Sequence, residues 1–542
     1  MAGFCISGDS LFCSAFRHEG HHAEATEGIT EPMFARNVLA NLIGMAVSIG
    51  VQAGLAFGGY RLAGAEQYGL IGFFTVLLIA AAIFDNGLGQ TVTRAVARNQ
   101  VEAPASTGAL VFNFSLIYLG LAALLILAIW ALSPLLAAYW LKPQHISTAE
   151  VRTCVVLMGF AIGIQRLRGI FQATLEGLER QVLSNFLLSL TGLLRLTLGL
   201  GALAFVAPTA EAFFWGQILA SLCEILIFAA VVGRVVPDAF RPQRLEGGLI
   251  WQSLRFAGVN MAAAATGTLV QIADSLVISA MLPLAVFGKY SLVSTMCSAM
   301  VRLTAPLITA AFPRMAAYVR GERTAELRQL FFSASQATFA LMLTAAGALV
   351  FYGEAFLELV SGDAAASADF APVLAVLAIA YALSGLCRPS HALQMAEGNP
   401  ATALRINLVT GALYLPAILL LTPRFGVILP AICLMGANLL AFALFTATAF
   451  RGRLQGEALR WLWSSIPPQA AAIAAAYATL RLLTGGELPL SMRLAMAVAA
   501  SGVALGAAVL VSGHLRPQLL HLGRRLHARL RPGRPRASAT AS

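Results

Sequence analysis

The chain has 542 residues, of which 58% are hydrophobic and only 11% charged, with a formal net charge of +11. A soluble globular domain carries about 25% charged residues and a single soluble core does not reach this length, so both are excluded. The basic balance does not point to nucleic acid either, because the arginines fall between apolar runs of membrane length, which is the charge pattern of a polytopic membrane protein.

Residues 1–35 read as a disordered cytoplasmic leader containing Cys5, Cys13, His18, His21 and His22. The three histidines have a spacing that suits a metal on a helix, but Gly, Ser and Thr interrupt the segment repeatedly, so no metal site is expected. Met33 stands just before Arg36 and the first span, and is an alternative start to Met1.

Fourteen apolar runs follow, over 38–58, 68–90, 110–132, 151–175, 182–206, 211–235, 256–281, 285–312, 330–352, 371–395, 404–422, 426–450, 465–484 and 493–513. A run of about 20 apolar residues crosses a hydrocarbon core of about 30 Å as a helix. The expected organisation is a first lobe over 36–236 (spans 1–6), a cytoplasmic linker over 237–255 and a second lobe over 256–450 (spans 7–12). Spans 13 and 14 occupy 451–514, and a basic cytoplasmic tail occupies 515–542.

Arginine concentrates in alternate loops. Arg94 and Arg98 follow span 2, Arg180 follows span 4, and Arg234, Arg241, Arg244 and Arg255 surround the loop after span 6. Arg314, Arg320, Arg323 and Arg328 follow span 8, and Arg451, Arg453 and Arg460 follow span 12. The loop after span 9 is acidic, with Glu354, Glu358, Asp363 and Asp369. By the positive-inside rule both termini are cytoplasmic, in agreement with an even number of spans. The tail arginines, Arg531 among them, serve as a topology anchor that can also meet anionic lipid headgroups.

The seven cysteines contain no CxxC pair, so neither a disulfide framework nor a zinc site is indicated. No Walker A loop, HExxH or GxSxG is present. The chain is therefore read as a non-enzyme without a cofactor, driven by an ion gradient, the membrane potential or consumption of its product.

The two lobes are worn copies of each other. An offset of 219 takes Asn41 to Asn260, Val51 to Val270, Gln52 to Gln271 and Gly69 to Gly288. A slightly longer offset pairs Glu176-Gly177 with Glu397-Gly398 and Asn185 with Asn407. Repeated bundles with matching polar residues inside spans mark a carrier working by alternating access around a central site.

Polar residues in the spans form stripes at helical spacing. They are Asn41, Ser48 and Gln52 in span 1, Gln165, Arg168, Gln172 and Glu176 in span 4, and Ser184, Thr191 and Arg195 in span 5. In the second lobe they are Asn260, Gln271 and Asp274 in span 7, Ser291, Thr295, Ser298 and Arg302 in span 8, and Ser384, Arg388 and His391 in span 10. Amides and hydroxyls alone are as readily glue between helices as a binding surface. Arginines inside spans are costly and mark function, and several guanidiniums with few carboxylates suit an anion, phosphate above all. Arg166 projects about 200° away from Arg168 on a straight helix, so Arg168 is taken as the stripe member. Of the acids in the spans, Asp85 lies near a helix end, Glu224 has no partner on its own helix, and Asp274 is expected either to pair with Arg302 or to take up a coupling proton.

Ala65-Glu66-Gln67-Tyr68-Gly69-Leu70 opens span 2, and Asp85-Asn86-Gly87-Leu88-Gly89-Gln90 with Thr93-Arg94 closes it. Phe287-Gly288-Lys289-Tyr290, leading to Pro313-Arg314, is the counterpart in span 8. With the Glu-Gly pairs after spans 4 and 10, this pattern over 35–450 resembles the Wzx-type polysaccharide flippases of the multidrug/oligosaccharidyl-lipid/polysaccharide (MOP) exporter superfamily. The resemblance implies an all-α integral membrane fold: two six-helix lobes around a central cationic cavity, plus two C-terminal helices. It implies transport of an undecaprenyl-pyrophosphate-linked oligosaccharide across the bacterial inner membrane for O-antigen, capsule or exopolysaccharide synthesis. Arg168, Arg195, Arg302 and Arg388 are the expected substrate carriers, with Gln52, Gln271, Asn41, Asn260 and His391 as polar lining. Membrane lipids, a polysaccharide polymerase and a chain-length regulator are the further expected partners. A cation-coupled drug exporter of the MATE type and a lipid II flippase are the alternatives in the same fold. The first wants carboxylates in its cavity, and the second usually has arginines within span 1, where this chain has only Arg36 before it.

Overall fold

In lipid every backbone polar group must be satisfied within the chain, which favours helices. The computed structural model describes residues 30–102, 106–241, 265, 267–483 and 488–517, and contains no strand among them. The helices of the first lobe are α1 (Thr30–Glu102), α2 (Thr107–Leu135), α3 (Thr148–Arg166), α4 (Arg168–Gly177), α5 (Gln181–Phe205) and α6 (Ala210–Val235). The second lobe comprises α7 (Gly267–Met281), α8 (Leu284–Arg302), α9 (Ala305–Arg320), α10 (Thr324–Ser361), α11 (Ala364–Leu386), α12 (Arg388–Ala396), α13 (Pro400–Phe425) and α14 (Ile428–Ala449). Then come α15 (Ala458–Ser465), α16 (Pro467–Leu483) and α17 (Leu490–Val511).

Eleven of these helical stretches are long and apolar enough to cross a membrane. One of them, Ile43–Ile83, is bent at Gly64 into the spans expected at 38–58 and 68–90. Gly64 has φ 78° and ψ 171°, a conformation that strains any residue with a Cβ. The shorter α7 and α16 stand in the spans expected at 256–281 and 465–484. Leu116, Leu119, Leu124 and Leu127 on α2 are exposed, as a lipid-facing surface requires. Most of the expected linker 237–255 lies outside the described residues.

Three spans expected as continuous helices are divided. Span 4 breaks at Leu167, span 8 at Leu303 and Thr304, and span 10 at Cys387. The last two have a local cause. Pro306 and Pro389 have no N–H to give to the carbonyls four residues back, so the helix tightens and turns there. Span 4 carries Gly169 where its repeat carries Pro389. The breaks place Arg168, Arg302 and Arg388 at kinks, as the first residue of α4, the last of α8 and the first of α12.

The lobes meet along α1 and α8 near the Gly64 end. A Cβ on Gly69 would lie 2.5 Å from the Leu284 carbonyl oxygen, and one on Gly288 would lie 2.0 Å from that of Ala65. These two contacts are images of each other under the 219-residue repeat. The loop after α2 adds a clasp across the same seam. Leu284 N donates to Lys142 O (3.0 Å), Lys142 Nζ to Met281 O (3.1 Å) and Trp140 Nε1 to Ser279 Oγ (3.0 Å). Glu66 steadies that loop by accepting from His145 N at 2.9 Å.

Helices α16 and α17 are fastened to α10 by polar contacts. Gln336 Oε1 accepts from His514 N (3.0 Å) and Leu515 N (3.2 Å), while Gln469 Nε2 donates to Gln336 O (3.0 Å) and Ser512 Oγ (2.6 Å). Tyr477 Oη donates to Thr344 O at 2.9 Å, and Arg493 pairs with Glu358. Burial, with Arg460 and Arg328 nearby, holds the His514 imidazole below its ordinary value, so it is neutral at pH 7. Replacing Gln336 by Leu leaves the His514 and Leu515 backbone donors and the Ser464 carbonyl unmatched, while Gln469 keeps its bond to the backbone carbonyl at position 336, and is expected to cost about 1–2 kcal/mol. A lowered unfolding midpoint in detergent, with Tyr477→Phe showing a smaller drop, is the result to look for.

Candidate functional site

The first lobe builds its polar centre around one acid. Glu224 lies mid-way along α6, 3% exposed. Its Oε2 receives Arg195 Nη2 from α5 at 2.6 Å, and its Oε1 receives Arg168 Nη1 from α4 at 3.3 Å. Thr191 Oγ1 donates to the same Oε1 at 3.1 Å, and Gln217 Oε1 accepts from Arg195 Nη1 at 3.4 Å. Thr191 is one helical turn before Arg195, and Gln217 is two turns before Glu224, so the helical repeat stacks both supports on the facing sides of α5 and α6. A buried carboxylate requires such partners. The two arginines thus share one negative charge, and the cluster keeps a net positive charge.

Arg166 belongs with this cluster, contrary to the straight-helix expectation. It is 6% exposed, and its charge lies near enough to oppose that of Arg195.

In the second lobe Arg302 and Arg388 have no ion-pair partner among the described residues, and both are half-buried. The expected Asp274–Arg302 salt bridge is not formed, and this corrects that expectation. Asp274 is buried, and its Oδ2 accepts a hydrogen bond from Tyr290 Oη at 2.6 Å, while its Oδ1 accepts none from another helix among the described residues. Tyr290 stands four turns further along the chain, where α8 brings it back against α7. Tyr381 Oη lies 3.0 Å from Ser294 Oγ, and the buried Tyr414 Oη is without a hydrogen-bond partner among the described residues.

The remaining predicted residues are spread around this frame. Gln52 is half-buried, with its Oε1 buried and without a hydrogen-bond partner among the described residues, and Gln271 is exposed. His391 is exposed one turn after Arg388, with its ring edge-on to Phe445 at 5.6 Å between centroids. The side chains of Asn41, Asp85 and Asn260 lie outside the described residues. Ser291 is at the seam against Gly72. The structure therefore brings Arg168 and Arg195 together, while the described ion pairs and hydrogen bonds do not link Arg302 or Arg388 to them.

A cavity of about 480 Å³ opens at the arginine-rich end of the first lobe. Arg168, Gln172 and Glu176 from α4 form one wall, Gln90, Thr93 and Arg94 from α1 another, with Tyr118 from α2. Gln172 Nε2 donates to Glu176 Oε1 at 2.8 Å. The span 4 stripe had marked three of these residues. Gln90, Thr93 and Arg94 lie in the motif and basic end of span 2, and Tyr118 stands one turn after Ser115 in span 3, a polar pair that could have signalled it.

A family model described as "Polysaccharide biosynthesis protein" matches residues 34–319, more than half of the chain. The chain belongs to that family. No curated protein matches it. Among solved structures, the family member is similar to the lipid II flippase MurJ in an inward closed conformation, with a TM-score of 0.62 at 11% identity, covering 89% of this chain and 99% of that one. It is also similar to a multidrug resistance MATE family transporter of the MOP superfamily in an inward-facing conformation, with a TM-score of 0.61 at 12% identity over 76% and 96% of the two chains. A MOP superfamily transporter from Pyrococcus furiosus, described as having a binding pocket of reverse polarity, is similar with a TM-score of 0.52 at 13% identity over 78% and 96%. The polysaccharide biosynthesis protein therefore has the fold of the MOP transporters, with two six-helix lobes and two additional C-terminal spans.

Proposed function

We propose that this protein is an alternating-access flippase for an undecaprenyl-pyrophosphate-linked oligosaccharide, moving the headgroup from the cytoplasmic to the periplasmic leaflet of the inner membrane. The observation that carries the reading is the charge balance inside the spans. Arg168 and Arg195 share the single carboxylate of Glu224, and Arg302 and Arg388 have no ion-pair partner among the described residues. Guanidiniums left in surplus in a low-dielectric interior attract a polyanion strongly, and their forked donors match phosphate oxygens. In this scheme the pyrophosphate enters from the arginine-rich end, meets Arg302 and Arg388, and draws Arg168 and Arg195 partly away from Glu224. Gln52, Gln271, Asn41, Asn260 and His391 offer hydrogen bonds along the path, and the polyprenyl tail stays in lipid. Asp274, which no guanidinium neutralises, is assigned the coupling proton. A polymerase and a chain-length regulator would receive the product.

The lipid II flippase reading gains from one observation: the match to MurJ extends over 89% of this chain. It predicts a peptidoglycan phenotype, whereas the reading preferred here predicts a surface-polysaccharide phenotype. A MATE-type exporter would instead change resistance to cationic dyes.

In proteoliposomes loaded with lipid-linked oligosaccharide, Arg302→Ala or Arg168→Ala should slow flipping about 10- to 100-fold. That is the worth of one charge-assisted hydrogen bond of about 1.5–3 kcal/mol. Arg531→Ala in the tail should leave the rate unchanged. Full activity in both span variants would remove the cationic-cavity mechanism.

A further inference from the structure

The cavity beside Arg168 carries groups that a pyrophosphate alone does not use. Glu176 on its wall repels an anion, yet its carboxylate is held in place by Gln172 at 2.8 Å. Gln90 and Tyr118 add an amide and a phenol from two other helices. A carboxylate, amides and a phenol gathered around one space are the donors and acceptors that sugar hydroxyls require. The volume of about 480 Å³ falls within the roughly 300–1,000 Å³ of small-ligand pockets.

The repeat supplies a comparison within the same molecule. Glu397 is the second-lobe copy of Glu176, and there a Cβ on Gly452, in the loop after α14, would lie 3.3 Å from Glu397 Oε1. Both carboxylates are half-buried, so they differ in their neighbours: the loop after α14 approaches Glu397, while Glu176 lines the cavity. Arg168 joins the open cavity to the arginine cluster, since it lines the first and pairs with Glu224 in the second.

We propose that this first-lobe cavity is a sugar subsite, taking the hydroxyl-rich units next to the pyrophosphate, with the Gln172–Glu176 pair as its recognition element. The assignment rests on the flippase reading and extends it from phosphate capture to glycan selection. Arg168 at the mouth holds the phosphate end. Glu176 accepts from hydroxyls and Gln172 donates to them, so a headgroup lacking sugars gains nothing there.

The test uses the full chain in nanodiscs and two probes: undecaprenyl pyrophosphate without sugars, and the host's own lipid-linked oligosaccharide isolated from a strain lacking the gene. Wild type should bind the glycosylated lipid about tenfold more tightly, a difference of about 1.4 kcal/mol. Gln172→Ala should bind the bare lipid as wild type does and lose the tenfold increment. Glu176→Gln, which removes a charge that repels the pyrophosphate, should bind the bare lipid at least as tightly as wild type and also lose the increment, with Gln90→Ala losing part of it. Unchanged unfolding midpoints would show that the variants are folded. An increment that persists in both variants, or is missing from wild type, overturns the subsite and leaves the flippase reading standing. Failure of wild type to bind either lipid overturns the flippase reading, and the subsite with it.

Discussion

Gly288→Ala should abolish closure of the lobes at the Gly64 end and reduce transport to background. The added methyl would sit 2.0 Å from the Ala65 carbonyl oxygen and 2.9 Å from Gly69 N, contacts with backbone that no rotamer change relieves. Overpacking of this kind costs about 1–3 kcal/mol, and here the cost falls on one conformation only, since the seam exists only when the lobes are closed at that end. Each 1.4 kcal/mol shifts a two-state equilibrium about tenfold, so the closed form should be depleted by about one to two orders of magnitude. Gly69→Ala should behave alike, because its methyl would meet the Leu284 carbonyl oxygen at 2.5 Å. Gly436→Ala, where a Cβ meets nothing within 4 Å, is the control. Spin-label distances across the seam would read the populations directly. A short-distance population equal to that of wild type would show that α1 and α8 are not the gate.

Glu224→Ala should be the most destabilising single change in the first lobe, at about 3–5 kcal/mol. Removing one member of a buried ion pair leaves its partners charged and desolvated, and here two arginines lose the same acid. Thr191 and Gln217 would also lose their contact or their support. The companion experiment replaces the cluster with apolar side chains of similar size: Arg195→Met with Glu224→Met should recover much of the stability, since a well-packed apolar replacement of a buried ion pair is often neutral or better. Transport should not recover, because the guanidinium is gone. A double variant that is both stable and active would reduce Arg195 to a structural role. A Glu224→Ala protein with an unchanged unfolding midpoint would show that the arginines reach water without the acid.

The outcome at Asp274 illustrates where reading along the chain stops. Asp274 and Arg302 have opposite charges on neighbouring spans, and pairing them was reasonable on sequence alone. Tyr290 lies closer: it sits on the first half of α8, facing α7, whereas Arg302 is at the far end of α8, more than three turns away. A span sequence states which residues share a face, but not at what depth two helices set their faces together. The same limit applies to Arg166, whose burial near Arg195 depends on the helices packed around α3 and not on its angle from Arg168 along the helix. The breaks next to Pro306 and Pro389 are not part of the sequence reading, which takes spans 8 and 10 as continuous. A proline frees a carbonyl wherever it stands, but Pro134 and Pro416 lie inside unbroken helices, so a proline alone does not say which span divides. The break at Leu167 has no proline at all.

By itself the sequence determined the class, an all-helical polytopic membrane protein, because crossing lipid demands about 20 apolar residues per helix whatever the packing. It also determined the repeat and the surplus of arginine over acid within the spans, since a charge in lipid is conspicuous in any linear reading. Only the tertiary structure decided which charges neutralise each other. Glu224 finds Arg195 across 29 residues and Arg168 across 56, and such partners are chosen by the rotation and depth of packed helices. It likewise decided that Gly69 and Gly288 form the seam, and that Glu176 lines a cavity while the loop after α14 approaches Glu397. Copies that are equivalent in sequence meet different neighbours once the chain has packed around them.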